Sequence, residues 1–421
     1  MPRLERGRIE TAETRLNPSN TIARASSAEE VIALLQDIVQ PLATERVSLE
    51  AAGGRVLREP VCAPEDQPAF DRSAVDGYVV RLDDASPEFQ IVDEIRAGDW
   101  KPRPLQRGET IRISTGGALP GEHLQVVMKE DAQADANRIR ITQRSREGNI
   151  RFRGEDARAG QVLVESGGAL QPGTLALLAS VGHAQPLVTR LPRVLHLATG
   201  NEIVPPEQTP ERGQIRDSNS ILVRSFLKPW QVELEQVRLP EDEAVAKTRL
   251  QAPSSKLQPA DLLLISGGAS VGEHDFTRRL LEHFGFAILV SKTSLRPGKP
   301  LIIARRGNQF AFGLPGNPLA HFVCLNLFVR VALERFSGVS ARPLFHHGKL
   351  GAPIETGSNG RETFWPARLD GRSGTSELTP LRWSSSGDLT SLAAANALIR
   401  VPANSGDLAA GASVEFVPTC S

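Results

Sequence analysis

Cysteine is scarce in this chain and widely dispersed. Cys62, Cys324 and Cys420 are the three present in 421 residues, and no two form a CxxC pair. That spacing excludes a disulfide framework or an ordinary zinc cluster and points to a reducing, cytoplasmic compartment. Long apolar runs are missing too. No stretch approaches the roughly 18 consecutive apolar residues of a spanning helix, and the polar start, MPRLERGRIETAETRLNPSN, lacks a signal-peptide core. Excess charge of either sign is absent: Lys plus Arg and Asp plus Glu number 49 each. Such a balance gives no global pull toward nucleic acid or an anionic membrane. Neither a Walker A loop, with its GKS or GKT, nor a GxGxxG fingerprint occurs, which argues against an unrelated ATP-binding α/β enzyme.

What the chain does contain is enough length for two to four domains. Residues before about Thr21 read as a disordered tail. Ser26-Ser27-Ala28-Glu29-Glu30 opens an amphipathic helix with Val31, Leu34, Leu35 and Ile38 inward. From Val61 to about Phe152, short β-branched runs alternate with Gly/Pro turns, the pattern of a small β domain. A helix is predicted from Pro172-Gly173 to Val181. From Arg193 strands and helices alternate: strands at 194–198, 232–239, 262–265, 287–290 and 301–303, helices at 218–230, 242–250, 276–284 and 319–336. This predicts a parallel, doubly wound α/β sheet. Beyond Pro343 short strands between Gly and Ser clusters predict a C-terminal β domain or small barrel.

The strongest local signal follows Asp261, where a buried strand, Leu262–Ile265, runs into Ser266-Gly267-Gly268-Ala269-Ser270 with a helix from about Asp275. Glycines let backbone N–H groups approach an oxyanion, and the following helix end adds partial positive charge. A tight strand-to-helix turn is the plainer alternative. Thr199-Gly200-Asn201-Glu202 leaves a second strand with similar small-residue chemistry and a carboxylate. Gly313-Leu314-Pro315-Gly316-Asn317-Pro318 forms a third exit, stiffened by two prolines, with Lys292, Arg296 and Lys299 adding positive charge near that rim. Singly, each is an ordinary turn or solvated face. Three on one sheet edge lie where open α/β sheets hold ligands. In the β domain, Asp76 before Gly77 suits a turn as well as a site, and Arg151-Phe-Arg-Gly-Glu-Asp156 suits a charged surface loop.

Eight motifs in order carry a resemblance. They are Phe-Asp-x-Ser-Ala-x-Asp-Gly-Tyr (70–78), Ser-Thr-Gly-Gly-Ala-x-Pro (114–120), Arg-x-Arg-Gly-Glu-Asp (151–156), Thr-Gly-Asn-Glu (199–202), Gly-Gln-Ile-x-Asp-Ser-Asn (213–219), Ser-Gly-Gly-x-Ser-Val-Gly-Glu-x-Asp-Phe-Thr (266–277), Arg-Pro-Gly-Lys-Pro (296–300) and Gly-Leu-Pro-Gly-Asn-Pro (313–318). Together they resemble the molybdopterin molybdenumtransferases, the MoeA family that includes the gephyrin E domain. The resemblance runs from about Ser26 to the C-terminus. The chain departs from the usual pattern at Arg296, where lysine is common, at Pro240-Glu241-Asp242, and loosely at Ser384–Gly387.

The resemblance implies an α/β plus β, multidomain fold. Its parts are a 1–20 tail, a discontinuous helical/β linker domain (21–60 and 154–192), a small β domain (61–153), a doubly wound molybdopterin-binding α/β domain (193–338) and a C-terminal β-barrel-like domain (343–421). It implies a cytoplasmic homodimer with its cleft shared between subunits. The substrates would be molybdopterin-AMP and molybdate, with Mg2+ as the metal. Partners would be the molybdopterin adenylyltransferase and molybdoenzyme apoproteins or chaperones, and neither nucleic acid nor membrane. Carried over by motif, Asp76, Thr115, Asp156, Glu202 and Asp275 become catalytic candidates, and Glu202, Asp242 and Asp275 metal ligands. Substrate contacts would come from Arg151, Thr199, Gly200, Asp217, Ser266, Gly267, Gly268, Ser270, Lys292, Arg296, Lys299, Pro315, Asn317 and Pro318. The alternative is a non-catalytic molybdopterin-binding paralogue acting as carrier, delivery partner or scaffold.

Overall fold

The structure is a computed structural model describing residues 25–144, 148–252, 257–267, 273–339, 343–357, 359–371 and 376–419, with backbone alone at 273–275. The tail expected before Thr21 lies outside the described residues. Two compact units result: Glu45–Val188 form the smaller, and the described residues on either side form the larger. Helix α1 (Ala28–Ile38) belongs to the larger one. Ser27 and Glu30 close a capping box, each side chain accepting from the other's N–H. Val31 and Leu35 are fully buried in the larger unit's core, with Leu34 and Ile38 at its margin.

The smaller unit is organised by a six-stranded sheet of β1 (Gly77–Arg81), β2 (Glu88–Ile95), β3 (Glu109–Ile113), β4 (Leu124–Met128), β5 (Ala132–Asp135) and β6 (Arg138–Ile141). Their order is β4-β1-β3-β2-β6-β5, and the β2–β3 pair is parallel. Alternate residues of β1 enter separate cores: Val79 joins Ile95, Ile111 and Val126 on one face, while Tyr78 and Val80 join Phe89, Val127 and Ile139 on the other. Gly77 is required where it stands, since a Cβ there would lie 2.0 Å from the Val127 carbonyl oxygen. Helix α2 (Pro172–Ser180) starts on Pro172 and packs Leu178 with Leu57 and Val188 in a further small core.

In the larger unit the chain runs β7 (Arg193–Thr199), α3 (Asn219–Leu227), β8 (Glu233–Leu239), α4 (Glu243–Gln251), β9 (Leu262–Ser266), α5 (Glu273–His283), β10 (Ala287–Val290), β11 (Ile302–Arg306) and β12 (Gln309–Leu314). A long helical stretch follows: α6 (Pro318–Cys324), a π-helical turn over Leu325–Val329, and α7 (Arg330–Ser337). The sheet order is β8-β7-β9-β12-β11-β10. Strands β8, β7, β9 and β12 are parallel, as the alternation of elements predicts. The expectation of a wholly parallel sheet is corrected at β11, which runs antiparallel to β12. The cause is local: Gly307-Asn308 closes a two-residue hairpin, with Gly307 at φ +57°.

Double winding is visible along β9. Leu262 and Leu264 face a core shared with α1, α3 and the α6–α7 stretch, while Leu263 and Ile265 face one built with Leu250, Phe276 and Leu280. At the strand's start, the Asp261 carboxylate accepts two bonds from the Arg190 guanidinium, at 2.7 and 2.6 Å, and one from Arg193 N–H at 2.9 Å. The C-terminal part is a closed barrel of β13 (His346–Leu350), β14 (Glu362–Asp370), β15 (Glu377–Pro380), β16 (Ala397–Val401) and β17 (Ser413–Pro418), paired β14-β15-β13-β17-β16 and back to β14. The short strand Leu295–Arg296 adds to β14 in parallel.

Leu264 is fully buried at the centre of this sheet. Leu264→Ala is expected to destabilise the larger unit by about 2–5 kcal/mol, read as a drop in denaturation midpoint without loss of the denaturant slope.

Candidate active site

Three strands of the parallel sheet, β7, β9 and β12, end on the same side, and their exits enclose a cleft of about 280 Å³. Thr199 ends β7 and Glu202 follows it, Ser266 ends β9 and Gly267 follows it, and Asn317 and Pro318 start α6. Asp217 and Asn219 come in from the segment that leads into α3. The β7 and β9 exits touch closely. Thr199 Oγ1 donates to the Ser266 carbonyl at 3.2 Å, and a Cβ on Gly267 would stand 2.4 Å from that same hydroxyl. Any larger residue at 267 would force the Thr199 hydroxyl out of this position.

Beneath the cleft lie polar groups withdrawn from water. Asp217 is buried, its Oδ1 accepting from Ser220 N–H at 2.9 Å and its Oδ2 from Ser220 Oγ at 2.6 Å and Arg238 Nε at 3.1 Å. Burial alone would raise its pKa, but the bonds from Ser220 and Arg238 outweigh that and hold the carboxyl below its ordinary value. His196, on β7, bonds Ser266 Oγ through Nε2 at 2.6 Å. His321, on α6, bonds the Pro315 carbonyl through Nδ1 at 3.0 Å and so braces the turn before Asn317. Both imidazoles are wholly buried. Burial pushes the pKa of His196 down to about 3, helped by the nearby His321, and burial likewise pushes His321 down to about 4.

The rim has two further parts. Asn219 Nδ2 donates to the Gly316 carbonyl at 2.7 Å. Ser386, from the barrel, accepts at Oγ from Asn317 Nδ2 at 2.8 Å, and at its carbonyl from Leu319 N–H at 3.0 Å. Lys292, Arg296 and Lys299 do not line the cleft described above; they sit on a separate loop held by Thr293, whose N–H donates to the Lys299 carbonyl and whose hydroxyl donates to that of Gly298. The Arg296 guanidinium lies 5.4 Å from the centre of the Trp383 ring, a cation–π contact with the segment leading to Ser386. Asp242 caps α4, its Oδ1 accepting from the Ala244 and Val245 amides at 2.8 and 3.0 Å. Gly268, Ser270 and the Asp275 side chain lie outside the described residues.

In the smaller unit, three motifs far apart in sequence are laced together. Ser73 N–H donates to Gly117 O, Gly116 N–H donates to Ser73 O, and Arg72–Ser73 pairs with Ile150–Arg151. Asp76 Oδ1 accepts from the Thr115 amide at 2.7 Å and the Thr115 hydroxyl at 2.9 Å, with Lys129 Nζ at 3.9 Å from Oδ2. The Thr115 amide and hydroxyl hold the Asp76 carboxyl below its ordinary value. Arg151 forms ion pairs with Asp156 and, at 3.4 Å, with Glu155. The pairings of His196, His321 and Ser386 are those that motif reading had not found.

Open doubly wound sheets hold small-molecule ligands at the carboxyl ends of their strands, as the substrate clefts of α/β enzymes do, and this cleft lies at that place. Comparison with known proteins gives the particular family. The MoeA N-terminal region (domain I and II) matches residues 26–182, a probable molybdopterin binding domain matches 196–335, and the MoeA C-terminal region (domain IV) matches 349–419. A molybdopterin molybdenumtransferase of Staphylococcus aureus is 29% identical over 383 residues, covering 89% of this chain and 90% of that protein. One from Staphylococcus epidermidis is 27% identical over 388 residues, with the same coverage. The crystal structure of a molybdopterin biosynthesis MoeA protein from Pyrococcus horikoshii is 28% identical and superposes with a TM-score of 0.78, covering 94% of this chain and 100% of that one. The chain belongs to the MoeA family.

The two histidines set a pH dependence. Between the ordinary value of 6.5 and the depressed values near 3 and 4, the unfolded chain binds protons that the folded chain refuses. Their contribution is therefore complete above pH 6.5 and is lost as pH falls, by up to about 1.4 kcal/mol per unit for each histidine. The urea midpoint should be lower at pH 5 than at pH 7, and the difference should shrink in His321→Gln. An unchanged midpoint across that interval would contradict the assignment.

Proposed function

We propose that this protein inserts molybdenum into adenylylated molybdopterin: the phosphoanhydride is hydrolysed, AMP leaves, and the two dithiolene sulfurs ligate the metal delivered as molybdate. It is a transferase of molybdenum cofactor biosynthesis, with small molecules as substrates, and its relatives' shared domain series supports that reading. The observation that carries the chemistry is the meeting of three strand exits at one cleft, with glycine at 267 and oxygen donors on each wall. Hydroxyls, amides and the cationic loop at Lys292, Arg296 and Lys299 suit a diphosphate and an oxyanion.

A hard divalent cation suits the donor set. Gly200 leaves room for Glu202, since a Cβ on that glycine would stand 2.8 Å from Oε2. Among the described residues there is no cluster of three His, Cys, Asp or Glu side chains that could hold a metal. An ion here would thus take most of its ligands from phosphates and water, as Mg2+ does. Glu202 and Asp275 would hold it, and any role for Asp242 falls to the oxygen that does not cap α4. Bound there, Mg2+ would neutralise charge developing on the phosphoanhydride oxygens. Thr199, Asp217 and Ser266 orient the substrate, with Gly267, Asn317 and Pro318 shaping the walls, and the motifs that carry Gly200, Gly268, Ser270 and Pro315 would add further substrate contacts.

Asp76, Thr115 and Asp156 complete the catalytic set, and Arg151 adds a substrate contact, in a cytoplasmic homodimer, which would meet the molybdopterin adenylyltransferase and molybdoenzyme apoproteins as partners. No helix among the described residues is long and apolar enough to cross a membrane.

The purified protein, given adenylylated molybdopterin, magnesium and molybdate, should release AMP and acquire dithiolene-bound molybdenum in matching amounts. Tight pterin binding with neither product would instead support the carrier or scaffold paralogue. Asp275→Asn should spare folding and pterin binding while cutting insertion, and unchanged insertion would remove Asp275 from the catalytic set. Mixed dimers of Asp76→Ala and Asp275→Ala subunits should regain part of the activity. No recovery in verified mixed dimers would put each site within one chain.

A further inference from the structure

We propose that a hydrogen-bond chain running inward from the surface, Arg224 to Gln236 to His196, leaves the Ser266 hydroxyl hydrogen for an acceptor oxygen of the ligand, with His196 as the positioning residue. The proposal rests on the reading of the cleft as the molybdopterin site.

Protons can be placed along this chain by elimination. Arg224 approaches Gln236 Oε1 with Nε at 2.9 Å and Nη2 at 2.6 Å. A guanidinium only donates, so the oxygen of the Gln236 amide must face it. The amide nitrogen then faces inward, donating to the Ser220 carbonyl at 2.8 Å and to His196 Nδ1 at 3.0 Å. Turning the amide over would set donor against donor at Arg224. Because Nε2 of glutamine also only donates, His196 Nδ1 must offer its lone pair, and the ring proton sits on Nε2. From there it donates to Ser266 Oγ at 2.6 Å.

Burial keeps His196 neutral, which agrees with this placement. Ser266 Oγ therefore accepts from below. Its own hydrogen has no hydrogen-bond acceptor among the described residues, and Ser266 lines the cleft. A ligand oxygen, phosphoryl or pterin carbonyl, satisfies it, whereas a ligand group that only donates, such as an ammonium or a ring N–H, would leave that hydrogen without an acceptor. The selectivity of this wall is thus set by Arg224, exposed on α3 on the far side of the chain from Ser266.

The test has one arm without ligand and one with it. In protein labelled with 15N-histidine, His196 should show the Nε2–H tautomer, and Gln236→Glu, which replaces the donor by an acceptor, should convert it to Nδ1–H. The opposite tautomer in the native protein overturns the proposal whatever the cleft binds. In pterin binding, His196→Leu should lose about tenfold in affinity, and His196→Gln, which can still present an N–H to Ser266, should recover most of it. In a Ser266→Ala background His196→Leu should add nothing further, because its effect passes through that hydroxyl; an equal loss in both backgrounds would mean a general packing role and would sink the idea. Comparing phosphorylated with dephosphorylated pterin identifies the acceptor. A loss confined to the phosphorylated form marks a phosphoryl oxygen, an equal loss in both marks the carbonyl, and either supports the donor. Failure of the native protein to bind pterin, with the predicted tautomer intact, removes the proposed function and the ligand half of this inference together.

Discussion

Strand β9 is apolar and buried on both faces, so its polar side chains must find partners at its two ends. Asp261 does so at the start, gripped by Arg190 and by the Arg193 amide. Ser266 does so at the finish, against His196. Between them four aliphatic side chains divide two and two between separate cores. With the strand so fixed, the position of Gly267 is fixed as well, and through it the distance to Thr199. The cleft is the consequence: it opens where a dry strand reaches the sheet edge and polar groups resume.

The smaller unit solves a different problem. The charged residues of its motifs, Asp76, Arg153, Glu155 and Asp156 among them, are exposed, and exposed ion pairs alone contribute little. Order there comes from backbone bonds linking the 71–73, 114–117 and 150–153 segments, and from Gly77 seated against the Val127 carbonyl. Asp76 is then presented on a rigid base with Thr115 already bound to it. Its carboxylate is pre-set as an anion before any substrate arrives.

Much of this was legible in the sequence, for physical reasons. A continuous apolar run ending in Ser-Gly-Gly reads as a central strand that stops at a close turn. Thr199, Glu202, Asp217, Ser266, Gly267, Asn317 and Pro318, all chosen from motifs, line one cleft. Lys292, Arg296 and Lys299 belong to a neighbouring loop because their position depends on Thr293 and Trp383, contacts that no periodicity records. Likewise Asp242 carries a capping signature as well as an acidic one, and the geometry uses the cap. His196 left one trace, a lone polar residue in the run Val-Leu-His-Leu-Ala, but its partner Gln236 is forty positions away. Strand β12 escaped the sequence reading although Phe310, Phe312 and Leu314 alternate with Ala311 and Gly313, and the Gly307-Asn308 turn was the overlooked sign.

That hairpin has a consequence for how the sheet is assembled. Parallel neighbours such as β9 and β12 can pair only after the whole stretch from Gly267 to Asn308 has been brought round, and closing so long a loop costs chain entropy. Strands β11 and β12 close across two residues. They form the low-contact-order element in a sheet otherwise built from distant pairings, and a hairpin made first would offer β9 a ready edge. The one strand that breaks the parallel pattern thus closes over the fewest residues, onto the strand that pairs with the one carrying Ser266.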